Sequence, residues 1–421
     1  MAHILVKNGT LIDGTGGKPL ENAAILIKDG KFKAVGTVDT IPHVDDVTVL
    51  DAQGGFILPG FFDTHVHMMI EQTDYNTRFQ TPFSFMFYKA IDHFRRTIEV
   101  GITSVRDAGF TDIGVKKAVE EGIIVGPRMQ ISVQPLTITG GHGDSWTYSG
   151  IDLTHPTYPT MPSGIVDGPD AVHRKVREIL RAGADVVKVH ATGGVMSPTD
   201  HPDFTQFSQE ELEIIVREAA FRKGVKVMAH AQGAEGIKNA IRAGIHSIEH
   251  GIYLDDEAIE LMLEHGTYLV PTLLAPLAVL EQFENTPFIP EHAAQKSREV
   301  IEIHRESFRK AYKAGVKIAM GTDAGVMPHG TNLRELELMV QNGMTPMEAI
   351  VATTKTAAEL MGWDDQLGTV EAGKIADLVI TKTNPLTDIA SLQNKNNIVT
   401  VMKEGKLVKD LRDAKVLQTV R

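Results

Sequence analysis

Residues 61–67 read FFDTHVH, with His65 and His67 one residue apart. Along an extended strand alternate side chains share a face, so His-x-His sets two imidazoles side by side while Val66 turns away. Two adjacent imidazoles suit a metal ion, although one core histidine beside one surface histidine fits the pair equally well. Further polar residues stand at or near the ends of apolar runs: Lys188 in DVVKVHA, His230 in VKVMAHAQG, His250 in IHSIEHG and Asp323 in VKIAMGTDAG. A single histidine at a strand end is explained by one backbone hydrogen bond. Four histidines and a carboxylate converging from several strand ends instead compose a metal site of nitrogen and oxygen ligands. The chain has no cysteine, which excludes disulfides, thiolate ligands and cysteine nucleophiles.

Lys188 separates the possible chemistries. A bare ammonium among the apolar neighbours of DVVKVHA is expensive to bury. A snorkelling lysine or a buried Lys–Asp pair is one reading. A Schiff-base lysine is another, but it leaves the metal ligands without a task. The third is carboxylation by CO2, which turns the cation into a carbamate able to bridge two metals.

Such residues need a scaffold that gathers strand ends. The chain has 421 residues, 42% hydrophobic and 23% charged, ordinary for a soluble globular protein. Its net charge of −12 argues against a nucleic-acid partner. No apolar run reaches the ~18 residues of a membrane span. The start, MAHILVKNGTLIDG, has no basic-then-apolar leader pattern, so a cytoplasmic protein is expected. Eight strand-like runs follow one another: FILPGFFDTHVH, GITSVRDAG, PRMQISVQ, ADVVKVHATGG, VKVMAHAQG, IHSIEHG, TYLVPTL and VKIAMGTDAG. Amphipathic stretches such as SQEELEIIVREAAFRKG separate most of them, with apolar positions at helical spacing. This alternation predicts a (β/α)8 TIM barrel over 58–366, with its chemistry at the C-terminal strand ends. Long loops at 68–88 and 135–168 would decorate that face. The β-rich segments 1–57 and 367–421 are each too short to bury a core, and are expected to join as one small β-sandwich domain.

The ordered set His65-x-His67, Lys188, His230, His250 and Asp323 resembles the binuclear amidohydrolase superfamily, and LGTVEAGKIADLVI is similar to its small urease-like β domain. The resemblance spans essentially the whole chain. It implies that His65, His67 and Asp323 hold one divalent metal, with zinc expected, and that His230 and His250 hold the other. Lys188, as N6-carboxylated lysine, would bridge them together with a hydroxide. Asp323 would take the hydroxide's proton and pass it to the leaving nitrogen, as a general base turned general acid. A homo-oligomer is also implied.

Weaker signals bear on the substrate. His142 in TGGHGD could donate to the developing oxyanion, or be a flexible surface histidine. His190 shares the inward face with Lys188 and could touch substrate or simply cap its strand. Gly193 and Gly194 in HATGGVMS could let backbone N–H groups approach an anionic carboxylate, or form a plain tight turn. His329 in GVMPHG could contact substrate. Tyr253 in IEHGIYL could polarise a carbonyl or pack on the rim. VKVHATGGVMSPTD and MAHAQGAEGIKNAIRAGIHSIEHG look closest to the prolidase-like, metal-dependent carboxypeptidase branch, which includes enzymes acting on N-acyl amino acids and ochratoxin-type aryl amides. The expected activity is hydrolysis that releases a C-terminal amino acid from a dipeptide or from an N-acyl or N-aroyl amino acid. The expected partner is therefore a small-molecule amide with a free carboxylate.

The alternative is a cyclic-amide hydrolase, acting on a lactam, imidazolone or hydantoin. By the same resemblance deamination is disfavoured, because the mononuclear deaminases lack the bridging lysine and place a Glu close behind the fifth-strand histidine, whereas here Lys188 is present and Glu235 comes five positions after His230. A non-enzymatic scaffold would have lost ligands, and every expected ligand is here.

Overall fold

Five strands open the chain: β1 (His3–Leu11), β2 (Leu20–Lys28), β3 (Lys31–Thr37), β4 (Val47–Asp51) and β5 (Phe56–Pro59). The computed structural model describes residues 3–71, 77, 80–152, 158–285 and 289–412. It turns β2 into β3 through Asp29 and Gly30, at φ 51° and 73°. Positive φ at both positions is what a tight two-residue hairpin needs. Parts of the two expected loops (72–76, 78, 79 and 153–157) and the terminal residues 1–2 and 413–421 lie outside the described residues.

Seven further strands follow: β6 (Phe61–Val66), β7 (Ile102–Asp107), β8 (Arg128–Ile131), β9 (Val186–His190), β10 (Lys226–Ala231), β11 (Ser247–His250) and β12 (Tyr268–Val270). The chain closes with β13 (Leu378–Thr381), β14 (Ile398–Lys403) and β15 (Lys406–Asp410). The fold is mixed α/β. Both chain ends enter one eight-stranded sheet, in the order β15-β14-β13-β5-β1-β2-β3, with β4 paired to β1. Val6, Ile25, Ile57, Leu378, Ile380 and Met402 form its core, all without solvent exposure. Each such side chain contributes roughly 1.5–3 kcal/mol of transfer free energy, so the two ends stabilise each other.

The middle strands are parallel: β6-β7-β8 form one sheet and β9-β10-β11-β12 another. Helices lie between successive strands, among them Phe85–Glu99, Pro169–Arg181, Gln209–Ala220, Ala234–Arg242 and Glu291–Ala314. The helix after β9 starts in a reciprocal cap, in which Ser208 accepts from the Glu211 N–H and Glu211 accepts from the Ser208 N–H. Backbone bonds join the two sheets on one side, from Asp185 N–H to the Ile131 carbonyl and from Leu136 N–H to the Lys188 carbonyl (both 2.8 Å). On the other side Leu269 N–H reaches Lys317 (2.9 Å), and Thr64 N–H on β6 reaches Met320 (2.9 Å).

The eighth strand-like run differs from expectation. Residues 316–325 make single bridges, Leu269 with Ile318 and Val66 with Ala324, instead of a continuous ladder. Asp323 at φ 66° and Gly325 at φ 117° break the extended backbone there. Asp63, two positions before His65, holds this segment by accepting from the Thr322 hydroxyl (2.6 Å), the Thr322 N–H (3.1 Å) and the Asn332 amide (2.8 Å). Among the described residues no helix is long and apolar enough to cross a membrane.

Candidate metal centre and cavity

The alternation of FFDTHVH carries Asp63, His65 and His67 on one face, and the last two meet Asp323. His67 Nε2 lies 3.1 Å and His65 Nε2 3.5 Å from Asp323 Oδ1. The other nitrogen of each ring is committed. His65 Nδ1 donates to Glu249 (2.7 Å) and His67 Nδ1 to the Gly109 carbonyl (3.3 Å). Both Nε2 atoms therefore face a carboxylate oxygen, a set of nitrogen and oxygen donors that suits a divalent metal ion. Among the described residues, His65, His67 and Asp323 are the one cluster of three or more such side chains close enough to hold a metal ion.

Burial, reinforced by neighbouring positive or imidazole groups, holds His65, His190, His230 and His250 well below the usual histidine range, so the rings are neutral donors of lone pairs. Burial alone would raise the Asp323 carboxyl. His67, His65 and Lys188 outweigh it and hold the group well below the carboxylate range. Lys188 is buried with Nζ 3.3 Å from His65 Nε2, and burial pushes its ammonium down to about 8 despite Glu249 and Asp323.

His230 and His250 complete the gathering, their rings 4.7 Å apart and His250 5.1 Å from His65. His230 Nε2 donates to the Gly193 carbonyl (2.9 Å), which leaves Nδ1 for the centre, while His250 Nδ1 pairs with the Thr272 hydroxyl (2.6 Å). His250 is at φ 74° and Thr272 at φ 49°, conformations costly for residues with a Cβ. The reason at His250 lies beside it. In SIEH, alternation would send Glu249 and His250 to opposite faces, yet Glu249 bonds His65 and His250 lies beside the same ring. The positive φ turns the second side chain inward.

Glu249 was hidden from sequence reasoning by that break in alternation. It accepts from His65, the Ser247 hydroxyl (2.6 Å) and Arg106 (2.9 Å), all buried. A carboxylate behind a histidine fixes its tautomer and raises its basicity.

The remaining expectations fall out differently. His142 is no flexible surface residue. Its ring stacks on His230 (4.2 Å between centroids, 16° between planes), with His190 5.1 Å away. The N–H groups of Gly193 and Gly194 are spent on the Phe204 carbonyl (2.9 Å) and Asp200 (3.3 Å), so they do not present a cradle for a carboxylate. Gly194 is needed for another close approach: a Cβ there would stand 2.2 Å from His142 Cε1. His329 is turned from the cavity and stacks on His93 (4.5 Å), its Nε2 bonded to the Ile70 carbonyl (2.9 Å). Tyr253 packs, partly buried, against a small apolar cluster that includes Val195 and Ile252. Glu235, 68% exposed, pairs with Lys238 (2.6 Å) and is out of reach of the centre.

A small cavity of about 50 Å³ opens beside the cluster. His142, His230, His250 and Asp323 line one side, and Val195, Met196, Ile252, Pro276 and Val279 are among the apolar groups lining it. Gln232 also lines it, two positions after His230 on the same face, and its buried Oε1 has no partner among the described residues.

The amidohydrolase family profile matches residues 56–408, and the chain belongs to that family. It is a hydrolase acting on amide bonds. Ochratoxinase from Aspergillus niger is 37% identical over 422 residues, covering 96% of this chain and 86% of its own. A Xaa-Pro dipeptidase solved with methionine in its active site aligns at TM-score 0.88 and 37% identity, over 97% of this chain and 100% of that one. A prolidase complexed with N-methylphosphonate-L-proline aligns at TM-score 0.87 and 32% identity, over 97% and 100% respectively.

Proposed function

We propose that the chain is a binuclear metal-dependent hydrolase releasing a C-terminal amino acid from a dipeptide or an N-acyl or N-aroyl amino acid. The observation that carries this reading is the convergence of two histidine rings and the Asp323 carboxylate at a cavity with a substantial apolar lining. In this reading His65, His67 and Asp323 hold one ion, and His230 and His250 the other. His230 and His250 lack a carboxylate of their own, and a carbamate on Lys188 would supply the shared anionic ligand. Divalent ions such as zinc, when bound, would lower the pKa of water toward neutrality and polarise the scissile carbonyl. Asp323 then takes the proton of the attacking water and delivers it to the departing nitrogen. His142 faces the carbonyl oxygen, the apolar wall takes the substrate's apolar part, and Gln232 meets its polar end.

The names of the relatives support the substrate class: an ochratoxinase, a dipeptidase with a bound amino acid, and a prolidase holding a proline derivative. In the same reading the sheet-joining bonds close the eight runs into a (β/α)8 barrel over 58–366. Segments 1–57 and 367–421 form the small β-sandwich domain.

The test is a substrate panel on metal-supplemented enzyme: dipeptides, N-acetyl and N-benzoyl amino acids, hydantoins and lactams. Release of free amino acid from the acyclic amides is expected. Turnover confined to the cyclic amides would replace this reading with the cyclic-amide one.

A further inference from the structure

His142 is gripped from behind by groups that no catalytic assignment has used. Its Nδ1 lies 2.8 Å from the Ser197 hydroxyl. Ser197 in turn donates to Asp200, a buried carboxylate. A hydroxyl has one proton, and Asp200 takes it, so Ser197 can only accept from His142. Nδ1 must then carry hydrogen, and Nε2 is the ring nitrogen left for the cavity that His142 lines.

The grip is built on both sides. Gln206 accepts from the His142 backbone N–H (3.1 Å) and donates to the second oxygen of Asp200 (3.1 Å). Lys296, on the helix Glu291–Ala314, donates to the carbonyls of Gly194 (2.9 Å), Ser197 (2.7 Å) and Asp200 (2.6 Å). Its three donors are thereby used on the one loop that carries Ser197 and Asp200. Gly194, bare of a Cβ, lets the ring lie flat beside that loop.

We propose that Ser197 and Asp200 are positioning residues that fix His142 with Nε2 toward the scissile carbonyl, and that Lys296 holds the loop bearing them. This rests on the proposal that His142 acts on the substrate. With Nδ1 already holding hydrogen, a proton taken up at Nε2 supplies the N–H offered to the carbonyl oxygen, so Ser197 decides which nitrogen faces the reaction.

Two readouts test it. The first is turnover of N-benzoyl-L-phenylalanine and of a methionyl-proline dipeptide by Ser197→Ala, His142→Ala and the double variant, at matched metal content. Loss of one oxyanion donor costs about 10²–10³ in kcat, and that is the fall expected for His142→Ala. Ser197→Ala should lower kcat about tenfold with KM nearly unchanged, and should add nothing in the His142→Ala background, because it acts only through that ring. The second readout needs no turnover. In metal-free protein with isotope-labelled histidine, NMR should show His142 protonated at Nδ1, and Ser197→Ala should release it to mixed tautomers. An additive double variant, or an unchanged His142 tautomer in Ser197→Ala, would overturn the relay. A full-speed His142→Ala would instead overturn the role of His142 itself, leaving the tautomer to report on the relay.

Discussion

His65 divides its two nitrogens between two carboxylates, Nδ1 to Glu249 and Nε2 toward Asp323, and those acids are expected to fail differently. Asp323→Asn keeps the size and one oxygen, so fold and much of the metal should persist. The amide cannot shuttle a proton, and kcat should fall by about 10²–10⁴, the usual worth of general acid–base catalysis. A loss within tenfold, measured at matched metal content, would remove Asp323 from that role. Glu249→Gln leaves His65 in place but weakens its orientation, and it removes the counter-charge of the buried Arg106 guanidinium. A chelator titration should find metal affinity lowered by about 10–100-fold, the usual cost of losing such a partner. Unchanged affinity would mean that Glu249 merely fills space. At this scale FFDTHVH could be read directly, because strand alternation needs only local spacing. Glu249 could not, because its use depends on the left-handed turn at His250. Nor could Ser197 and Asp200, whose partner Lys296 is about a hundred residues away.

Elements place these groups by tethers that are themselves titratable. Glu335 sits unexposed and accepts from the N–H groups of Leu273 (2.7 Å) and Leu274 (2.8 Å), where the helix Leu274–Asn285 begins. That helix lends Ala275, Pro276 and Val279 to the cavity wall. Burial pushes the Glu335 carboxyl up to about 8, against the two backbone bonds that lower it. A carboxyl raised on folding contributes stability that is complete below its ordinary pKa of 4.5 and is lost as pH rises through about 8. Glu335→Gln cannot ionise, so the stability advantage of wild type over this variant should shrink between those pH values. Denaturant melts across that range check it, and a constant difference would show that Glu335 is not strained by ionisation. The strand and helix alternation was legible from periodicity, but the broken eighth run was not. VKIAMGTDAG has the apolar opening of a strand, and only the positive φ of Asp323 shows why its ladder fails. Gly193-Gly194 signalled a close approach without saying to what. The answer is an imidazole, reached through tertiary packing.

Across the whole molecule the two chain ends share one sheet, and β5 passes from it directly into β6, so the scaffold of the site begins where that sheet stops. This joining was legible because neither end carries enough apolar residues to bury a core alone. The family follows from the profile match over residues 56–408, whereas the cavity wall, drawn from loops and a helix far apart in sequence, carries no readable spacing. The claim that holds the whole reading together is that Lys188 is an anionic bridge between two metals. Lys188→Ala should keep the fold, lose the two-metal centre and most turnover, and recover part of both when short carboxylic acids are added. The most direct measurement is electron density at Lys188 in crystals of the metal-supplemented protein. The expected result is two divalent ions joined by a carbamate on Nζ, with His65, His67 and Asp323 on one ion and His230 and His250 on the other. An unmodified lysine side chain directed away from a single ion would contradict it, and a mononuclear hydrolase would take its place.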